Sequence, residues 1–134
     1  LKRYLSEYEN KYQLKVEFVP LGINKRLRPV LEVAVFRLIQ EALTNVRKHA
    51  GADKTVIRLE ITSNFVTVSI RDDGRGFDPE IIGGVENEHY GISNMRERIE
   101  LLSGVFEIKS SEGRGTEIRA KIPLEDSNKR MAGG

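Results

Sequence analysis

Three separate stretches of this 134-residue chain carry side chains that suit a phosphate-bearing nucleotide. Residues 41–49 (EALTNVRKH) combine a carboxylate, an amide and a cation at helical spacing. Residues 72–77 (DDGRGF) join a carboxylate to two glycines, and residues 113–116 (GRGT) form a glycine turn that leads into a strand. Each stretch alone has an ordinary structural explanation, but we interpret the three together as parts of one nucleotide pocket.

The second stretch follows an alternating strand, which predicts where its carboxylate points. Apolar residues at every second position of 66–70 face one side of the strand, so Asp72 continues that inward face and Asp73 points away. A buried carboxylate needs a hydrogen-bond donor, and the exocyclic amine of adenine is a donor of suitable shape. Gly74 and Gly76 then permit close approach of the backbone to a base or ribose. A simple Asp-Gly turn without a ligand is the alternative.

The first stretch places polar side chains on one face of a helix. Asn45 lies one turn after Glu41 and one turn before Lys48, so the three side chains can converge on one site. An amide oxygen is a suitable ligand for Mg²⁺, Lys48 would neutralise phosphate charge, and His49 could donate a hydrogen bond. A solvated helix face is the alternative explanation of the same spacing.

Two further positions fit the same pocket. Gly91 opens a second helix, whose free backbone N–H groups would face an anion. Gly115 and Thr116 lie where the last glycine turn enters a strand, and the Thr116 hydroxyl could hydrogen-bond near the base. Helix capping and a hairpin turn explain these positions equally well without a ligand.

Hydrophobic periodicity predicts an α+β fold, a two-layer α/β sandwich with helices on one face of a mixed, mostly antiparallel sheet. The predicted elements are a strand over 14–18, a helix over 29–49, a hairpin of strands 57–61 and 66–70, a loop over 77–90, a helix over 92–102 and a hairpin of strands 106–108 and 118–122. The core-facing stripe of the long helix is predicted to include Val30, Val33, Ala34, Leu38 and Ala42.

The two ends of the chain are predicted to lie outside this domain. Residues 1–12 show helical spacing and would be the last turns of a helix, or a linker, that belongs to a preceding module, and their apolar stripe would need another partner. In the family that the chain resembles, described below, the preceding module carries the dimerisation and phosphoacceptor helices. Residues 13–124 would form the domain itself, and residues 125–134 a polar tail.

Composition excludes several classes of protein. The chain has no cysteine, which removes disulfide frameworks and thiolate metal sites, and its apolar runs are too short for a transmembrane helix. The formal charge of +2, with acidic and basic residues interleaved, argues against a nucleic-acid surface. We therefore expect a cytoplasmic domain that contacts neither nucleic acid nor membrane, although its parent protein could be membrane-anchored.

In this order, the three stretches resemble the N box, the Asp-x-Gly-x-Gly box and the last glycine box of the ATP-binding catalytic domain of sensor histidine kinases. Residues 36–45 (FRLIQEALTN) and 90–98 (YGISNMRER) are similar to the branch that includes nitrate sensors and the desaturase thermosensor. The resemblance covers residues 14–124 and implies the Bergerat fold that these kinases share with gyrase, Hsp90 and MutL.

If each residue has the role of the family residue at the matching motif position, the resemblance implies a Mg-ATP site. Asn45 would ligate Mg²⁺, Asp72 would accept the adenine amine, and Glu41 would be catalytic. The remaining positions would contact the phosphates or shape the pocket: Lys48, His49, Gly74, Gly76, Gly91, Gly115 and Thr116. The loop 77–90, with His89, would be the ATP lid.

The family's reaction implies partners outside this chain. It transfers the γ-phosphoryl group of ATP to a histidine on a separate dimeric helical module of the same kinase, and from there to an aspartate of a response regulator. Neither His49 nor His89 is the expected acceptor, so we expect a monomeric fragment of a homodimeric parent that binds ATP with little turnover. The alternatives are a nucleotide-sensing module without transfer activity and a serine kinase of the same fold.

Overall fold

A computed structural model of the chain describes residues 1–75 and 91–125. Three α-helices and five strands make up the fold within those residues. The helices are α1 (Lys2–Tyr12), α2 (Pro29–Asn45) and α3 (Ile92–Glu100). The strands are β1 (Lys15–Gly22), β2 (Lys54–Ile61), β3 (Phe65–Asp72), β4 (Val105–Ser110) and β5 (Thr116–Pro123).

The strands form one mixed sheet in the order β1-β2-β3-β5-β4. Strand β1 pairs with β2 in parallel, and the other three pairs are antiparallel. Both predicted hairpins are therefore present, and the predicted α+β sandwich with a mostly antiparallel sheet is confirmed. The helix between β1 and β2 is the crossover that a parallel pair requires.

One face of the sheet is apolar and supports the helices, because its register aligns apolar residues across adjacent strands. One such row crosses four strands and consists of Ile57, Ile70, Ile118 and Ile108. The next row consists of Leu59, Val68, Ala120 and Phe106. Together with the buried side chains of α2 and α3, these rows form a single core that fixes the end of every strand.

The buried face of α2 differs from the predicted stripe. Ala34, Leu38 and Ala42 are buried as predicted, but Val30 and Val33 are 48% and 53% exposed. The face in contact with the core is centred on Leu31, Val35, Leu38, Ala42 and their neighbours Ile39 and Leu43. These positions recur at three and four residues, which places Val30 and Val33 on the opposite side of the helix.

The end of the long helix is also not regular. The prediction of one α-helix to His49 was wrong in detail, because the α-helical part ends at Asn45 and a π-helical turn follows over Val46–Ala50. Gly51 then adopts a left-handed conformation with φ of 61° and ends the helix, as predicted. After α3, Ser103 takes the left-handed position, while the amide of Gly104 donates to the carbonyl of Ile99 at 3.0 Å.

Helix α1 packs on the domain and does not present its apolar stripe to an absent neighbour. Leu5 and Tyr8 are buried in the common core, and the ring of Tyr4 meets that of Phe36 with centroids 4.9 Å apart. The Tyr8 hydroxyl donates to the backbone carbonyl of Leu43 at 3.0 Å. Whether residues 1–12 also belong to a preceding module stays a prediction. Among the described residues, no helix has both the length and the apolar character needed to cross a bilayer.

The docking of α1 can be tested through this hydrogen bond. Tyr8→Phe removes a buried hydroxyl and should lower the free energy of unfolding by about 1 kcal/mol, because one buried hydrogen bond contributes that much. Urea denaturation monitored by circular dichroism measures the change. Tyr4→Phe is the matched control and should change stability less, because its ring contact is kept. Equal stability of Tyr8→Phe and the parent chain would show that α1 is not held in this position.

Candidate functional site

Asp72 ends β3 on the inward face of the sheet, as its alternation predicted. Its side chain is buried, with 8% relative exposure. The amide of Gly74 donates to Asp72 Oδ1 at 2.8 Å, and the backbone of Thr116 supplies a second hydrogen bond. Burial raises the pKa of the Asp72 carboxyl above its usual value, against the lowering effect of these two bonds. Since a carboxylate has about four acceptor positions, Asp72 can accept further donors from a ligand.

Asp72 belongs to a polar row that continues the apolar rows of the core. In the β2–β3 register Thr55 is opposite Asp72, and in the β3–β5 register Thr116 is opposite Asp72. Ser110 of β4 pairs with Thr116, and their hydroxyls lie 2.8 Å apart. The inward face of the sheet is thus apolar in the three rows that contain Val66, Val68 and Ile70, and it is polar in the next row, at the end where β3 stops.

Thr55 was not among the candidate site residues predicted from the sequence. It is completely buried, and its hydroxyl has no hydrogen-bond partner within residues 1–75 and 91–125. The signal was present in the alternation of β2, because Thr55 precedes Ile57 by two positions and must share its inward face. A polar residue on that face, opposite a buried carboxylate, indicates a site rather than core.

Hydrogen bonds join the second predicted stretch to the third and to the segment that follows the long helix. Asp73 Oδ1 accepts the amides of Asp53 and Lys54 at 3.0 and 3.1 Å, which joins the Asp72 loop to the segment that follows the long helix. The amide of Gly113 donates to the carbonyl of Arg75 at 2.6 Å, which joins the same loop to the last glycine turn. Asp73 therefore points away from the core, as predicted, and has a structural role there.

Gly115 is required by close approach as well as by conformation. Its φ is 80°, and a Cβ placed on it would lie 2.1 Å from the backbone carbonyl oxygen of Asp72. Gly115 thus lets β5 approach β3 at the level of the carboxylate. Gly74 is buried and its amide binds the side chain of Asp72, whereas Gly115 lies against the backbone of Asp72.

Two of the other predicted residues, Glu41 and Gly91, meet where α2 contacts α3. Glu41 is half-buried on α2, and a Cβ placed on Gly91 would clash with Glu41 Oε1 at 2.2 Å. Gly91 is the N-cap of α3 with φ of 67°, so its lack of a side chain leaves room for the carboxylate. Glu41 is therefore held at the start of α3.

Asn45 and Lys48 lie on either side of the change from α-helix to π-helix. Asn45 is half-buried at the last α-helical position, and Lys48 is exposed within the π-helical turn. His49 belongs to the same turn. Single π-helical turns within longer helices occur frequently at functional sites, because the extra residue changes the direction of the side chains that follow.

Comparisons with known proteins now identify the fold family. Residues 31–126 match the model of the histidine kinase-, DNA gyrase B- and HSP90-like ATPases. The chain belongs to this family. The match runs from the buried face of α2 through β5 and includes every predicted site residue.

Relatives with curated names are sensor kinases of bacilli. The chain is 39% identical over 127 residues to the signal transduction histidine-protein kinase/phosphatase DegS of Bacillus subtilis, and 33% identical over 126 residues to the sensor histidine kinase LiaS of that organism. Each alignment covers 92% of this chain but 33% of the relative. The chain therefore spans about a third of the length of these relatives.

A solved structure supports the fold independently. The histidine kinase domain of the blue-light activated histidine kinase from Erythrobacter litoralis EL346 superposes with a TM-score of 0.68 at 20% identity. The superposition covers 98% of this chain and 62% of that domain. At this identity the likeness concerns the fold.

Two parts of the predicted ATPase site are not described. Gly76 and the lid loop 77–90, with His89, lie outside the described residues. That Asp72 and Asn45 face each other across a single cleft stays a prediction. Within the described residues there is no group of three acidic, histidine or cysteine side chains that could hold a metal alone, so a Mg²⁺ ion here would need phosphate oxygens among its ligands.

The two glycines of the last turn provide a matched pair for testing the Gly115 contact. Both have φ near 80°, but a Cβ on Gly113 would meet no atom within 4 Å. Gly113→Ala should therefore lower the free energy of unfolding by about 1 kcal/mol for the left-handed conformation alone. Gly115→Ala should lower it by about 1–3 kcal/mol more, because β5 must move away from Asp72. Thermal or urea unfolding gives both values, and equal effects would contradict the close approach.

Proposed function

We propose that this chain is the ATP-binding catalytic domain of a sensor histidine kinase. The observation that carries the proposal is the buried carboxylate of Asp72, which is held by backbone donors, retains free acceptor positions and lies beside the last glycine turn. An acceptor group of this kind selects a ligand that presents an N–H donor, and the amino group of adenine is such a donor. Membership of an ATPase family supports the same ligand.

In the proposed complex, the triphosphate lies between the end of α2 and the start of α3. Lys48 and His49 would lie near the phosphates, and the free N–H groups at Gly91 would face their negative charge. Asn45 would ligate a Mg²⁺ ion, which would neutralise charge on the phosphates. Gly74, Gly76, Gly115 and Thr116 would shape the base and ribose part of the pocket.

Glu41 is proposed to be catalytic through its place at the start of α3. A carboxylate at that point would accept hydrogen bonds from the α3 amides or from a substrate group that carries a proton. It would lie near the phosphates if they occupy the predicted position. Transfer to a histidine requires that water be excluded from the γ-phosphorus, so the same group must not activate water efficiently. Glu41→Gln separates orientation from proton transfer, because it keeps the shape and removes the charge.

The proposed reaction needs partners that this chain does not contain. The acceptor would be a histidine on the dimeric helical module of the same parent kinase, and an aspartate of a response regulator would receive the phosphoryl group next. The isolated domain should bind ATP as a monomer with little turnover, because positioning of the acceptor supplies much of the rate in phosphoryl transfer. We propose a cytoplasmic location, which the absence of cysteine from the chain favours.

Calorimetric titration of the chain with ATP tests the binding site, with and without Mg²⁺. Asp72→Asn should weaken ATP binding by about 10- to 100-fold, because an amide offers a donor where the adenine amine needs an acceptor. Asn45→Ala should leave the affinity for ATP without Mg²⁺ nearly unchanged. It should remove most of the increase in ATP affinity that Mg²⁺ produces. Asp53→Asn and Asn64→Ala, at exposed positions, are matched controls and should bind as the parent chain does. Equal affinity of the Asp72 variant would contradict the proposed base site.

Phosphotransfer tests the enzyme class. With the upstream helical module of the parent kinase restored, labelled ATP should produce acid-labile, base-stable phosphohistidine, and Asp72→Asn should abolish it. ATP binding without any labelling would support a nucleotide sensor instead. An acid-stable product would indicate a serine kinase, and labelling of the isolated domain on its own histidines would contradict the separate acceptor.

A further inference from the structure

A small cavity lies at the end of the β4–β5 hairpin, and no residue of α2 or α3 lines it. Its volume is about 350 Å³, at the lower end of the range of small-molecule pockets. Four charged residues line it: Arg71, Lys109, Arg114 and Glu117. Three positive charges against one negative charge leave a surplus of two positive charges, so the cavity favours an anion.

The alternation of the strands places these charges on the outward face of the sheet. Arg71 precedes the inward-facing Asp72 by one position, and Glu117 follows the inward-facing Thr116 by one position. Glu117 is opposite Arg71 on β3 and opposite Lys109 on β4. The side chains of Arg71, Lys109 and Glu117 therefore lie on the side of the sheet opposite to the Asp72 carboxylate, apart from the proposed base site.

Glu117 does not neutralise the cations beside it. Directly opposite residues of antiparallel strands have Cβ atoms about 4.5–5.5 Å apart, which is close enough for an ion pair between long side chains. Within residues 1–75 and 91–125, however, no carboxylate oxygen lies within 4.0 Å of a side-chain nitrogen of Arg71, Lys109 or Arg114. All three of these residues are exposed, so a ligand can reach them from solvent.

We propose that this cavity binds a phosphate dianion, either as the free ion or as the monoester of a small organic group. A phosphate monoester carries about −1.5 to −2 charge at neutral pH, which matches the surplus of two positive charges. The planar guanidinium groups of Arg71 and Arg114 suit bidentate hydrogen bonds to phosphate oxygens. Ser111 also lines the cavity, and its hydroxyl can donate a further hydrogen bond.

The inference does not rest on the proposed function, because its residues face away from Asp72. The small volume of the cavity favours one phosphate group over the triphosphate and base of a nucleotide. Binding there is therefore measured on the chain without nucleotide. Failure of the chain to bind ATP would overturn the proposed function and leave this inference standing.

A purely structural role of the cations predicts a different response to the loss of Glu117. If Arg71 and Lys109 serve to pair with Glu117 across the strands, Glu117→Gln should lower the free energy of unfolding and should not improve phosphate binding. If the cavity binds phosphate, the same substitution removes the negative charge nearest the ligand. Phosphate binding should then become stronger by about 2- to 5-fold.

The experiment follows ¹H–¹⁵N NMR spectra of the labelled chain during titration with inorganic phosphate and with methyl phosphate, at an ionic strength held constant with sodium chloride. Both ligands should cause saturable shifts of the amides of residues 109–117 and of Arg71. Arg114→Gln, and Arg71→Gln combined with Lys109→Gln, should weaken binding by about 3- to 10-fold. Arg58→Gln removes the same charge from an exposed position of the outward face of β2 and is the matched control, which should bind as the parent chain does.

The two ligands distinguish the sources of the phosphate group. Tighter binding of methyl phosphate would support the site and identify a monoester as its ligand, and equal or tighter binding of inorganic phosphate would support the site with the free ion as its ligand. Three results would overturn the inference. These are shifts that sodium chloride alone reproduces, equal affinity of the parent chain and the Arg114 variant, and unchanged or weaker phosphate binding by Glu117→Gln.

Discussion

Burial of the Asp72 carboxylate is the constraint on which the site depends. A charged group on the inward face of a sheet must be surrounded by donors, and here the nearest ones come from the backbone of Gly74 and Thr116. Both donors impose conditions on the chain. The turn after β3 must fold back at once to bring the Gly74 amide to Oδ1, and β5 must approach β3 so closely that position 115 has no space for a side chain. Gly115, which looks like an ordinary turn residue, is thus required by the close approach of β5 to the backbone of Asp72.

The apolar rows of the sheet determine where that carboxylate lies. Inward-facing side chains recur at every second residue of β3. Because Val68 and Ile70 belong to two successive inward rows, Asp72 must belong to the next one. Helices α2 and α3 cover the apolar rows and meet each other at Glu41 and Gly91. The polar row is therefore left at the end of the sheet where β3 stops. The same core that stabilises the fold thus determines the position of the polar row.

Sequence patterns predicted the features that depend on the local alternation of apolar and polar residues. They failed where the packing of one element against another determines the structure. The inward position of Asp72, both hairpins and the left-handed Gly51 follow from residues near them in the chain. Val30 and Val33 were assigned to the core because α2 is apolar on several sides, and only packing against the sheet determines which side is buried. The π-helical turn has no pattern of its own in the sequence. Thr55 was missed because the inward face of β2 was predicted from its apolar residues alone. The site begins where the inward-facing positions of that strand become polar.

Helix α1 contacts the end of α2 and the π-helical turn that follows it. Tyr8 binds the carbonyl of Leu43, and Arg47 hydrogen-bonds Tyr8 and lies over the ring of Tyr12 at 4.5 Å. These contacts fall two residues before and two residues after Asn45, so α1 supports the part of the long helix where its geometry changes. Burial raises the pKa of the Tyr8 hydroxyl, so the group remains a donor at neutral pH and the contact does not depend on titration there. A boundary drawn at residue 13 from the sequence would therefore remove core contacts of the domain and a support of its helix end.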